Sequence, residues 1–329
     1  MRQSLGSGWW ERAFIYLARL TSAIPILFCA QGLSNTSWLK VEGRFLKNER
    51  GKTVILRGVN IADPEHVNLK REGKTAASLI ELAVRDYGAK VIRLPVHPGT
   101  DGKTGFFVNK EAYVSKHLGP AIEKCRELGV YVIIDLHYVA NYRGLWHRVS
   151  EFWRFIAPRY RVSSHVLFEI FNEPIYPNNW KTWRRLIAQP AVDLIRKHAP
   201  NNLIIVGGPE WSSNMSGAAQ EPIKGSNIVY TAHVYPNLPK DKWDSNFGPV
   251  LAKFPVFVTE WGYEYAEEGP VKGTTSGFGF PFRNWLNKNG LSWTAWIFDN
   301  EWESRIFNVD WELTGGEFGM GEFIRDSLQ

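Results

Sequence analysis

The run HVLFEIFNEP (165–174) is apolar for most of its length and ends on Asn172-Glu173-Pro174, two polar residues and one that turns the chain. Working outward from it, seven more runs share the pattern: VILRGVN (54–60), KVIRLPV (90–96), VYVIIDLH (130–137), NLIIVGG (202–208), NIVYTAHVY (227–235), VFVTEWG (256–262) and LSWTAWIF (291–298). Each is continuously apolar, as parallel strands buried on both faces are. Between them lie amphipathic stretches such as 75–88, 113–129 and 180–200, which predict helices. Eight strand-helix units in a chain of this length predict an α/β fold, the closed (β/α)8 TIM barrel. The rival is an open doubly wound sheet, but no G-x-G-x-x-G follows the first run. The segment 38–56 predicts an N-terminal β-hairpin, strand–Gly43-Arg44–strand, that closes the barrel floor.

The composition agrees with a folded domain. The 329 residues are 44% hydrophobic and 22% charged, which excludes disorder for most of the chain. The formal charge is +6, but the Lys and Arg residues are scattered, so nucleic acid is not the expected partner. Two cysteines, Cys29 and Cys125, build neither a disulfide framework nor a zinc site. Residues 1–36 differ from the rest. Arg2, Arg12 and Arg19 precede the apolar run Leu20–Ala30 and a small polar stretch, the layout of a signal peptide, with an uncleaved membrane anchor as the alternative. Residues 37–329 are then expected to form one catalytic domain without linker or repeat. The fifteen tryptophans exceed what such a core needs, and some are expected to face a ligand.

In a barrel the working residues sit where strands end. That rule selects Asn60, Arg93, Asp135, His137, Asn172, Glu173, His233, Tyr235, Glu260 and Trp296. Glu173 and Glu260 matter most. Burying either carboxylate unpaired would be costly, and strands four and seven can bring them face to face across the barrel mouth. Such a pair is what glycosidic-bond hydrolysis requires.

The strings LRGVN, VIRLP, IIDLH, FEIFNEP, HVYP, VTEWG and TAWIF, in that order, resemble those of family 5 glycoside hydrolases, the retaining cellulase and mannanase barrels. The resemblance runs from about Trp38 to the final helix. It implies Glu173 as acid/base and Glu260 as nucleophile. Arg93 would keep Glu260 charged, Asn172 would bond the 2-hydroxyl of the reacting sugar, and Tyr235 would donate to Glu260. His137 and His233 would line the cleaving subsite, and Trp296 would be the platform under the reacting ring.

Sugar rings stack on aromatic faces, and Trp146, Trp180, Trp183, Trp211 and Trp302 are expected near the rim, with at least one of Trp180 and Trp183, three apart at the start of a helix, expected in the core; Trp153, Trp243 and Trp285 fall in helical stretches and are expected to pack. The resemblance implies a secreted or cell-envelope endo-β-1,4-glucanase acting on β-glucan, with no cofactor or metal, no obligate protein partner and a monomeric state. β-Mannanase, another β-glucanase or an exo-β-glucosidase remain open, as do a non-catalytic carbohydrate-binding barrel and a metal-dependent hydrolase using Asp135, His137 and His233.

Overall fold

The computed structural model describes residues 36–99 and 102–329; residues 1–35 of the expected leader lie outside them. No helix among the described residues is long and apolar enough to cross a membrane. In chain order the strands are β1 (Lys40–Glu42), β2 (Phe45–Lys47), β3 (Arg57–Asn60), β4 (Val91–Val96), β5 (Tyr131–Leu136), β6 (Val139–Ala140), β7 (Val166–Glu169), β8 (Glu173–Pro174), β9 (Ile204–Val206), β10 (Ile228–Val234), β11 (Val256–Trp261) and β12 (Ser292–Ala295). β3, β4, β5, β7, β9, β10, β11 and β12 close into a parallel barrel. All eight sit in the expected runs.

The strands look uniformly apolar because both faces are covered, but their residues divide by period two. One set, including Ile92, Leu94, Val132, Ile134, Phe168 and Val258, packs outward with the helices. The other set, Leu56, Val91, Tyr131, Ile133, Leu167, Ile205, Val229 and Phe257, forms a separate interior cluster with Leu39 and Leu46. Those last two residues flank or belong to the antiparallel β1–β2 hairpin, which therefore closes the floor as the sequence predicts. Gly58 belongs to the β3 run because a Cβ there would overlap the Val91 carbonyl.

Local signals set the helices. Asp63 accepts from the His66 N–H at the start of the helix Pro64–Lys70, with Pro64 at its first position. Thr75 and Ser78 form a reciprocal cap on Ala76–Arg85. The expected helix over 113–129 is observed over 110–128, and the one over 180–200 over 180–198. Each contains a π segment, Val114–Leu118 and Arg184–Ala188, directly before a turn containing Pro120 or Pro190. Proline has no N–H to donate, and the wider turn accommodates the break in the ladder. Trp153, Trp243 and Trp285 are buried, as expected.

Candidate active site

Moving up the barrel interior from the floor, the next inward positions are polar. Two residues beyond Val91 on β4 stands Arg93, and two beyond Leu167 on β7 stands Glu169, both fully buried. The Arg93 guanidinium joins the strands. Its Nε donates to Glu169 Oε2 at 2.6 Å, Nη1 to Glu260 Oε1 at 2.7 Å and to Asn60 Oδ1 at 2.9 Å, and Nη2 to Asn172 Oδ1 at 2.8 Å. Nη2 also lies 3.0 Å from Asp135 Oδ2. A planar fork with five N–H groups is suited to hold several carboxylates in fixed directions.

β10 and β11 bring the other half of the centre. Their register slips by one residue between Ala232 and His233, so that Thr259 is extra and His233 lies opposite Glu260. His233 Nδ1 is 2.8 Å from Glu173 Oε1 and 3.5 Å from Glu260 Oε2. Its Nε2 contacts Thr259 Oγ1 at 3.1 Å, and that hydroxyl donates to Glu169 at 2.9 Å. Tyr235 donates its phenol to Glu260 Oε2 at 2.9 Å. Glu173 lies past the end of β7, where the short parallel pair β6–β8 holds its backbone: its N–H donates to Tyr138 O, and Ile175 N–H to Ala140 O. A Glu173 oxygen and a Glu260 oxygen lie within 4.8 Å of each other.

The environments of these groups differ. Burial raises Glu173 above the usual carboxylate range, Glu260 adds to the shift, and the hydrogen bond and charge of His233 oppose it. For His233 burial disfavours the cation, but the facing carboxylates Glu260, Glu169 and Glu173 outweigh it and raise the imidazole to about 10. Burial also pushes Glu169 up, yet the charges of Arg93 and His233 outweigh it and hold that carboxyl at about 2. His137 is driven well below its ordinary value by burial and by the positive charges of Arg93 and His233, so it is neutral. Its Nδ1 lies 2.6 Å from Asp135 Oδ2, which leaves Nε2 for a ligand. The Trp296 ring lies parallel to His137, with 5.5 Å between centroids.

The arrangement thus offers an acid of raised pKa, a second carboxylate held by a cation and a phenol, and an aromatic face beside them. Among the described residues, one cluster has the spacing of cation ligands, Glu173, His233 and Glu260. The facing carboxylates favour the protonated form of His233, which would have to release that proton to bind a metal.

The expected residues Arg93, His137, Asn172, Glu173, His233, Tyr235, Glu260 and Trp296 are therefore brought together. Trp302 joins them through Trp296, 6.2 Å away and tilted by 22°. Trp211 is exposed on the loop after β9, with its backbone N–H donating to Pro174 O and its ring 6.3 Å from Tyr176. Trp146 opens the helix Trp146–Tyr160, half-buried against the outer core. Trp180 is a correction: its Nε1 donates to Glu221 O, and its ring packs over Gly217 and 6.0 Å from Tyr230 on the barrel's flank. It follows a loop but opens a helix, and a helix's inward-facing tryptophan packs. Glu169 escaped the strand-end rule because the apolar run continues past it to Asn172, whereas the strand itself ends on Glu169. Counting back by twos from the mouth would have found it.

Comparison with known proteins is consistent with this geometry. The cellulase model of glycosyl hydrolase family 5 matches residues 48–301. An endoglucanase of Clostridium saccharobutylicum is 28% identical over 291 residues, covering 84% of this chain and 61% of that protein. Endoglucanase E-5 of Thermobifida fusca is 28% identical over 312 residues, covering 88% and 63%. The chain thus spans less than two thirds of these two curated relatives. Among solved structures, the β-glucanase SdGluc5_26A of Saccharophagus degradans in complex with cellotetraose superposes with a TM-score of 0.80 at 27% identity, covering 90% of this chain and 94% of that one.

Proposed function

The chain belongs to glycosyl hydrolase family 5, and on that premise we propose that it is a retaining endo-β-1,4-glucanase. The observation that carries the mechanism is the approach of Glu173 and Glu260 to within 4.8 Å. A retaining pair stands about 5–5.5 Å apart, whereas an inverting pair leaves room for water at roughly 6.5–9.5 Å. Glu260, oriented by Arg93 and Tyr235, attacks the anomeric carbon. Glu173 gives its proton to the departing glycosidic oxygen, and a glycosyl ester on Glu260 forms. Glu173, now a carboxylate, takes a proton from water. That water attacks the anomeric carbon, the ester bond breaks, and Glu260 is regenerated. Asn172, with its carbonyl oxygen fixed on Arg93, presents its amide N–H to the 2-hydroxyl. Trp296 and the neutral His137 line the cleaving subsite.

Support for a β-glucan substrate comes from relatives named endoglucanase and from the cellotetraose complex of a structural neighbour. Hydrolysis of carboxymethyl cellulose, barley β-glucan, laminarin and mannan, compared side by side, tests it. The expected result is preferential release of reducing ends from the first two with retention at the new anomeric centre. Preference for mannan, or inversion, overturns the reading. An insoluble polymer has to be met outside the cell, so secretion goes with this proposal, and sequencing the N-terminus of protein recovered from culture medium tests the leader over 1–36.

A further inference from the structure

Residues 228 positions apart form a buried ion pair beside the candidate site. Arg71, just past the helix Pro64–Lys70, donates from Nε to Asp299 Oδ2 at 3.1 Å and from Nη2 to Asp299 Oδ1 at 3.0 Å; its Nη1 lies 2.7 Å from Glu301 Oε2. The Arg71 and Asp299 side chains are 2% and 0% exposed. Neither touches the reacting centre. What Asp299 does hold is a turn: its Oδ1 accepts the backbone N–H of Glu301 at 2.8 Å and that of Trp302 at 3.4 Å.

The turn delivers one large ring. Trp302 stands 5.5 Å from His97 at 23°, 5.0 Å from His66, and 6.2 Å from Trp296 at 22°. His97 in turn lies parallel to His137 at 4.8 Å. His66, His97 and His137 line a groove of about 480 Å³ that opens beside the cleaving subsite and also touches Lys70, the neighbour of Arg71. A buried ion pair is poor evidence of stability in itself, since desolvation offsets the attraction, but it fixes direction well.

We infer that the buried Arg71–Asp299 pair is a positioning device that holds Trp302 against Trp296, His66 and His97 and so fixes the histidine wall of a glucan-binding groove. It sets affinity for extended chains and leaves bond cleavage alone. The inference rests on the glucanase reading for its ligand but not for its geometry.

Two measurements test it. With an aryl β-cellotetraoside, Asp299→Asn and Trp302→Ala are each expected to raise KM about tenfold with kcat little changed, an effect of the size of one lost ring contact. The double variant is expected to be no worse than Trp302→Ala. Multiplying effects, or a loss confined to kcat, overturn the inference. Independently of any substrate, the Trp296 and Trp302 indoles, 6.2 Å apart, contribute to the tryptophan circular dichroism beside other close pairs such as Trp261–Trp293 and Trp243–Trp285, so their part is read as the difference between wild type and Trp302→Ala. Asp299→Asn is expected to give the same difference spectrum. A spectrum of Asp299→Asn that matches wild type overturns the inference even if the protein hydrolyses no glucan. Arg71→Lys, which keeps the charge but loses the fork, is expected to shift both readouts in the same direction and covers the case in which Asp299→Asn does not fold.

Discussion

The lower and upper halves of the barrel interior are built from the same strands by opposite means. Below, Val91, Ile133, Leu167 and Phe257 interdigitate with the hairpin's Leu39 and Leu46. Above, Arg93, Asp135, Glu169 and Glu260 occupy the next inward positions, nearly or wholly out of contact with solvent. On β7 the change takes two residues, from Leu167 to Glu169. The lower half lowers free energy by removing apolar surface from water, a non-directional effect that tolerates small repacking. The upper half buries charge, which holds only if every direction is right. Division of labour follows: one half makes the barrel, and the other spends part of that stability on fixed orientation.

The contrast breaks most sharply at Glu260. Glu260→Gln is nearly the same in size and keeps an oxygen for Arg93, so hydrolysis is expected to fall to below about a thousandth of wild type with the thermal midpoint little changed. Full activity in that variant removes the assignment of the nucleophile. Next come the two β7 neighbours. Leu167→Ala is expected to cost about 2–5 kcal/mol in urea unfolding, with kcat unchanged in the folded protein. Glu169→Leu, which takes from Arg93 and His233 one of the buried anions that face them, is expected to cost about 3–5 kcal/mol and to lose activity as well. Equal kinetic behaviour of the two variants would erase the distinction between the halves.

The smallest expected effect is on pH. His233 is raised to about 10 in the folded protein from an ordinary 6.5, so its contribution to stability is complete below 6.5 and is lost as pH rises through about 10. Glu169 is held at about 2 against an ordinary 4.5; its contribution is complete above 4.5 and is lost as pH falls through about 2. Denaturation midpoints measured against pH are therefore expected to be highest between 4.5 and 6.5. Replacing His233 with Asn is expected to flatten the alkaline side alone, and an unchanged alkaline slope in that variant would count against the charged imidazole.

How much of this was legible in the sequence follows from the same two halves. The eight strands and the floor hairpin rest on apolar burial, which leaves its mark in local composition, and each appears where the runs predict. Glu173 and Glu260 were legible because each ends an apolar run at the mouth, where a carboxylate has no structural reason to be. Glu169 was not, because the apolar run continues past it to Asn172 and hides that β7 ends there, so that only its inward phase distinguishes it. Arg71 and Asp299 were invisible for another reason: their partnership lies where the first and last barrel strands, β3 and β12, meet, and neither residue's neighbours in the chain announce it. Trp180 and Trp302 look alike as loop tryptophans and are both half-buried, and only the direction each side chain takes separates a ring packed toward Tyr230 from one stacked beside Trp296 and His97.

The extra residue in β11 has a consequence for how this strand can change. Strand side chains alternate, so Phe257 faces in and Val258 out; regular alternation from there would carry Glu260 outward among the helices and Trp261 inward. With Thr259 left without a partner on β10, the phase resets, and Glu260 meets His233 while Trp261 packs against Trp293 and Phe282. The strand therefore behaves like a reading frame. If β10 and β11 paired without this slip, every letter of the VTEWG motif would be intact and its carboxylate would aim into the hydrophobic layer. A graft or recombination that joins this strand to another barrel has to carry the insertion with it.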